Sequence, residues 1–247
     1  MIYLARNEMI QFFKQISGKL GSNIYAGFKG QSSSQNIAFI RQLQKEMRES
    51  NSLDTPLHEV KVVVFDIETT GFFPEKGDQV ISIGAVKMIG AQLLTDQTFY
   101  SLVKSERPLS DELSSLTNIN QTQLLSAPSA AEVLLEFFQF GHAHILVAHH
   151  SKHEQSFMQK MTWDLLRTRF ELRIIDTSFL IRLANPYYAT VSLEEVCQEC
   201  AVEIKNRHHA LGDAMMTAHI WSHYLQFAEK MGLANLREVY EYIAKLG

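Results

Sequence analysis

At 247 residues, the chain has room for one ordinary domain plus an appendage, or for two small domains. Hydrophobic residues make up 46% of it, enough for a substantial core, yet no apolar run reaches membrane-spanning length. The formal net charge of −4 argues against a protein held on nucleic acid by bulk electrostatics, although residues 1–58 carry seven basic against four acidic side chains and leave −7 for the remainder. An acidic body can still accept a phosphodiester where divalent cations neutralise its carboxylates.

The N-terminus, interrupted by Arg6, Glu8 and Lys14, does not read as a secretory signal, and a soluble cytoplasmic protein is expected. Residues 1–20 and 36–50 are predicted to be helical, from apolar residues at helical spacing in "IQFFKQI" and good helix formers in "NIAFIRQLQKEMRES". A Gly- and Ser-rich stretch separates them. "SNSLDTPLHE" then reads as a linker, with Pro56 at the break.

From Val60 the pattern changes to strands. "KVVVFDI", "QVISIGAVKM" and "QTFYSLVK", on short connections, predict an antiparallel meander. A helix follows in "SAAEVLLEFFQFG", with Ser126 or Ser129 near its cap, and then a short strand in "HILVAHH". Next come a helix in "SKHEQSFMQKMTWDLLRTRF", striped by Phe157, Met161 and Leu165, a short strand in "ELRIIDTS", and mostly helix thereafter. The order predicts an α/β domain with a mixed sheet over residues 59–228, after a helical extension over 1–58. A C-terminal helix over 229–247 packs on that domain or continues it.

The stretch "VVVFDIETTGFF" places Asp66 and Glu68 where an apolar strand runs out. Side chains alternate with period two, so both acids point to the same side, and the turn residues Thr69, Thr70 and Gly71 then stop the strand. Two like charges that close repel unless a proton or a cation sits between them, which makes the pair half of a metal site. Two further polar stations accompany it: His149, His150, His153 and Glu154 in "AHHSKHE", and His208, Ala210 and Asp213 in "HHALGDA".

Asp176, before Thr177 at a strand end, is expected to cap a helix. His150 and His153 lack an HExxH context and are expected to be solvated, with His142 and His144 on the surface. Cys197 and Cys200, three apart among helix formers with no second pair, are ordinary thiols of a reduced compartment. What joins Asp66, Glu68, Glu154, His208 and Asp213 is chemistry: carboxylates hold hard divalent cations, and an imidazole accepts the proton of an attacking water.

In their order and spacing these motifs resemble those of the DnaQ-like, DEDDh-type 3′–5′ exonucleases, relatives of the proofreading subunit of bacterial DNA polymerase III. The resemblance runs from about Val60 to Tyr224 and rests on "FDIETTGF", on the HxAxxD pattern of His208, Ala210 and Asp213, and on "LTNINQTQLLSAPS", which resembles a segment reading LTGI and ending in AP. It implies a ribonuclease-H-like fold, a five-stranded mixed sheet flanked by helices. It further implies that Asp66, Glu68 and Asp213 hold two divalent ions, Mg²⁺ or Mn²⁺, with His208 as general base. Thr69, Thr70, Gly71 and His150 would face the terminal nucleotide. The second motif departs from the family's AHNxxFD: His150 replaces Asn, His153 replaces Phe, and Glu154 replaces the acid Asp. Glu154 is expected to serve the second metal still. Asn118 replaces the Gly of LTGI.

The function expected is release of nucleoside monophosphates from single-stranded or frayed DNA 3′ ends. An RNase trimming RNA 3′ ends is the alternative within the same chemistry, since nothing visibly reads the 2′-hydroxyl. A nucleic-acid-binding or scaffold module is the alternative from another class. The length left over fits no polymerase or helicase segment, so a standalone enzyme or a subunit is expected, with residues 1–58 packing on the domain, docking a polymerase or repair partner, or binding nucleic acid.

Overall fold

A computed structural model describes residues 42, 45, 46, 53–188 and 191–246. The predicted helix over residues 1–20 and the Gly- and Ser-rich stretch after it lie outside the described residues. Gln42, Lys45 and Glu46 are helical.

The meander is β1 (Lys61–Thr69), β2 (Val80–Ile89) and β3 (Gln92–Leu102), paired antiparallel. Beyond it, β4 (Ile145–Ala148) runs parallel to β1, and β5 (Ile174–Asp176) runs parallel to β4. The order β3-β2-β1-β4-β5 is the five-stranded mixed sheet expected from the resemblance. Every residue of β4 is buried, as a parallel strand covered on both faces requires.

Eight α-helices follow the meander: α1 (Asp111–Thr117), α2 (Gln121–Ser126), α3 (Ala130–Phe140), α4 (Lys152–Leu166), α5 (Ser178–Ile181), α6 (Leu193–Glu199), α7 (Ala210–Lys230) and α8 (Leu236–Ala244). Alternation along β1 sends Val62, Val64, Asp66 and Glu68 to one face and Val63, Phe65 and Ile67 to the other. The first face meets α7, where Val62, Val64, Val86 and Met88 bury with Ile220, Trp221 and Leu225. On the second, the Phe65 ring lies 5.1 Å from Phe137 of α3 and Phe99 lies 5.9 Å from it. The acids are thus the continuation, past the apolar core, of the row that packs on α7.

Caps follow the local sequence. Ser129, rather than Ser126, starts α3 in a capping box with Glu132. Asn118 ends α1 in the left-handed region at φ 55°, where a short polar side chain substitutes for glycine. On α4 the buried stripe is Glu154, Phe157, Met158, Thr162 and Leu166. The expected stripe through Met161 and Leu165 is off by one position, because these two flank the core and line a cavity of about 220 Å³ beside Asp78 and Val103.

Residues 53–59, expected to end a linker, are fastened to the domain. Leu57 is 1% exposed in the main core, its N–H donates to Ala234 O at 2.9 Å, and Pro56 bridges Asn235. Arg237 of α8 grips Asp54 with two nitrogens, at 2.5 and 2.9 Å. Among the described residues, no helix is long and apolar enough to cross a membrane.

Candidate active site

Asp66 and Glu68 reach the site from β1, and Asp213 reaches it from the first turn of α7. Their carboxylate oxygens lie within 4.8 Å of one another, the one such group of three among the described residues. The approach of α7 to the sheet makes this meeting. Gly84 pairs with Asp66 across β1 and β2, and a β-carbon on Gly84 would stand 2.1 Å from the Leu211 nitrogen. Only a residue without a side chain lets the first turn of α7 rest on the strand there. Gly84 has no polar atom to draw attention in the sequence.

Burial dominates the electrostatics. It raises Asp66 well above the usual carboxylate range, reinforced by the charges of Glu154, Asp213 and Glu68. It also lifts Glu68 to about 7 and Asp213 to about 6, with Arg207 pulling each back. The Asp213 Oδ1 atom is buried without a hydrogen-bond partner. Three crowded carboxylates and an orphaned buried oxygen fit a hard divalent cation such as Mg²⁺ or Mn²⁺, which takes all-oxygen ligands.

Glu154 stands beside this group rather than within it. It is 3% exposed, its Oε2 is buried without a partner, and burial lifts its carboxyl to about 8. Its charge is the largest that Asp66 feels.

His208 lies on the loop into α7 at φ 60°, with its backbone N–H donating to Asp213 Oδ2 at 3.3 Å. Burial, then the charge of Arg207, holds its imidazole below the ordinary value, with Glu194 pulling the other way. Arg207 is a site residue the sequence reading missed. Its Nη1 donates to Asp213 Oδ2, and its Nε donates to Glu194 Oε1 at 2.6 Å. Its position just before the "HHALGDA" motif was the available signal.

Thr69 Oγ1 donates to Gly71 O at 2.7 Å and lies 3.4 Å from His153 Nε2. Thr70 Oγ1 accepts from Gln79 N at 2.9 Å, and a β-carbon on Gly71 would stand 2.3 Å from the Asp78 carboxylate. The turn is therefore knitted around Asp78, which Arg107 pairs at 3.1 Å. Its next residue, Phe72, is 79% exposed.

His150 and His153 are half-buried rather than solvated. His150 Nε2 lies 2.8 Å from Val191 O, and the His153 ring packs 4.8 Å from Phe157. His149 is buried, with Nδ1 at 2.7 Å from Thr177 Oγ1, and burial lowers it to about 4. His142 and His144 are also half-buried: His142 Nε2 lies 2.9 Å from Glu46 Oε2, and His144 Nδ1 lies 2.6 Å from His142 O. The Asp176 carboxylate accepts from Ser178 N at 2.9 Å and from Ser151 N at 2.6 Å, at the starts of α5 and α4, but the N-cap position expected for it falls to its neighbour Thr177. Cys197 and Cys200 are free thiols.

Over residues 63–221 the sequence matches a family described as Exonuclease, of the RNase T type. It is 30% identical over 201 residues to a DNA polymerase III subunit epsilon-like protein of Rhodobacter capsulatus, covering 81% of this chain and 28% of that one. It is 31% identical over 186 residues to a PolC-type DNA polymerase III of Thermotoga maritima, covering 75% of this chain and 13% of that one. The chain thus spans less than a third of the length of either relative. Among solved structures, a 3′-exonuclease described with the histone mRNA stem-loop is alike in fold, with a TM-score of 0.60 over 78% of this chain and 72% of that one at 19% identity.

Proposed function

This chain belongs to the exonuclease family matched over residues 63–221, and we propose that it releases nucleoside monophosphates from single-stranded or frayed DNA 3′ ends, as a 3′–5′ exonuclease of proofreading or repair type. The observation that carries this reading is the meeting of Asp66, Glu68 and Asp213 within 4.8 Å, with His208 on the loop beside Asp213. DNA is favoured over RNA because the relatives at 30% and 31% identity are DNA polymerase III proteins. Residues 1–58 are the segment through which a polymerase or repair partner would hold the domain, and the cytoplasm is the proposed setting, in keeping with two free thiols.

Asp66, Glu68 and Asp213 would hold two divalent cations, Mg²⁺ or Mn²⁺, with Glu154 serving the second from beside Asp66. When bound, such ions lower the pKa of a water and offset charge on the phosphate and departing oxygen. The chain's own residues do the rest. A neutral ring nitrogen of His208 takes the proton of the attacking water, a role its lowered pKa suits at neutral pH. The turn of Thr69, Thr70 and Gly71, together with His150, holds the terminal nucleotide, and Asp78 keeps that turn in shape.

The test uses end-labelled single-stranded DNA, duplex DNA and RNA, each incubated with Mg²⁺ or Mn²⁺. Metal-dependent shortening from the 3′ end is expected on single-stranded DNA. Asp66→Ala should abolish it, and His208→Ala should slow it by about 10²- to 10⁴-fold. Shortening of RNA alone would replace the DNA reading by the RNase one, and no shortening of any substrate would overturn both.

A further inference from the structure

His208, as the proposed general base, needs a fixed position, yet its ring has no hydrogen-bond partner among the described residues. Its backbone sits in the left-handed region at φ 60°, uncommon for a residue with a side chain. Besides its own N–H bond to Asp213 Oδ2, its two neighbours are anchored. On one side, Arg207 is tied to Glu194 and Asp213. On the other, the His209 ring lies flat on Tyr100, with centroids 4.3 Å apart and planes 19° from parallel.

The stack is built into the fold. Asp66, Gly84 and Tyr100 form one cross-strand row over β1, β2 and β3, so Tyr100 projects from the same face as Asp66, about 10 Å away. Since Gly84 lies between them and yields its place to the first turn of α7, the row presents acid, helix end and aromatic ring in succession. His209 occupies the N-cap position of α7 but makes no side-chain cap hydrogen bond. That position ordinarily goes to Ser, Thr, Asp or Asn. Here the ring is spent on Tyr100 instead.

We propose that Tyr100, acting through His209, is a positioning residue that fixes the His208 imidazole relative to the Asp66, Glu68 and Asp213 cluster. The inference rests on the reading of His208 as general base. Tyr100 contributes through the stacking of its ring, while its hydroxyl, which lies near Ser82 and feels the charge of Glu68, is a separate contact that Tyr100→Phe removes without disturbing the stack.

The experiment combines kinetics with a readout that needs no turnover. On single-stranded DNA, Tyr100→Ala and His209→Ala should lower kcat by about 10- to 100-fold, the scale of a misplaced catalytic group, with KM and Mn²⁺ affinity within about twofold of wild type. Tyr100→Phe, which keeps the stack, should restore the rate. In a His208→Ala background, adding Tyr100→Ala should cost nothing further, because its effect runs through a ring no longer there. By NMR of ¹³C-labelled histidine, the His208 resonance should be single and sharp in wild type and broadened in Tyr100→Ala.

An equal loss from Tyr100→Ala with and without His208 would overturn the proposal, as would a raised KM at unchanged kcat, the mark of a nucleic-acid contact. Failure of Tyr100→Phe to restore the rate would also overturn it. If wild-type protein shows no nuclease activity, the functional reading falls by itself. The NMR comparison then still decides whether Tyr100 holds the His208 ring.

Discussion

The backbone nitrogen of Leu211 stands 2.1 Å from where a β-carbon on Gly84 would lie, so α7 rests directly on β2. Because Gly84 is paired with Asp66, this one contact sets the distance between the acids of β1 and Asp213 of α7. Gly84→Ala should push the helix end off the sheet. The expected cost is about 1–3 kcal/mol of stability, as for other overpacked interiors, together with loss of most nuclease activity. Thermal unfolding and the single-stranded DNA assay check it; wild-type values in both would contradict it.

Arg207 places a cation against Asp213 in the position where a metal ion would compete for the same carboxylate. In EDTA, Arg207→Gln should lower Tm, because the buried Asp213 carboxylate loses a partner. The same change removes a repelling charge from the cluster. Mn²⁺ should therefore bind about tenfold more tightly, or ~1.4 kcal/mol, by titration calorimetry or EPR. Weaker Mn²⁺ binding would show that Arg207 supports the metal site rather than standing in for it.

Stability and pH are linked through the same acids. Glu68 at about 7, Asp213 at about 6 and Glu154 at about 8 all lie above their ordinary values, chiefly through burial. Between the unfolded and folded values, the folded state holds protons that the unfolded state has released. This contribution is therefore complete below about pH 4 and is lost as pH rises toward 8. In EDTA, Tm should fall between about pH 5 and pH 8, and excess Mg²⁺ or Mn²⁺ should raise it more at the upper end, where fewer protons compete. A metal-free Tm that climbed across this window would contradict the assignment.

Glu154 combines 3% exposure with an oxygen that has no hydrogen-bond partner. In EDTA near pH 8, Glu154→Gln should raise Tm, because a buried charge is removed without loss of volume. With Mg²⁺ it should lower the rate at least about tenfold if the carboxylate serves the second metal, whether directly or through water. Glu154→Asp should retain more activity than Gln. Equal rates for Gln and wild type would remove Glu154 from the reaction.

Truncation near Leu57 carries its own risk, since Leu57 is core and Asp54 is clamped by Arg237. A chain starting at residue 40, which keeps Glu46 beside His142, should keep the wild-type Tm, whereas one starting at residue 60 should lose several degrees by calorimetry. Equal Tm for the two would mean that the Asp54 and Leu57 contacts add nothing to stability.

By itself, the sequence determined what depends on short-range periodicity and ordered spacing. The two-residue period of "VVVFDIET" sets Asp66 and Glu68 on one face, helical and strand patterns give the element order, and HxAxxD points to His208 and Asp213. The tertiary structure alone decided which of these groups meet and what surrounds them. Gly84 had to be empty for α7 to approach, Arg207 had to fold back onto Asp213, and His209 had to find Tyr100 more than a hundred residues earlier. It also moved the buried stripe of α4 by one position and turned residues 53–59 from linker into anchor. These are contacts between distant segments, set by close packing, and local alternation carries no record of them.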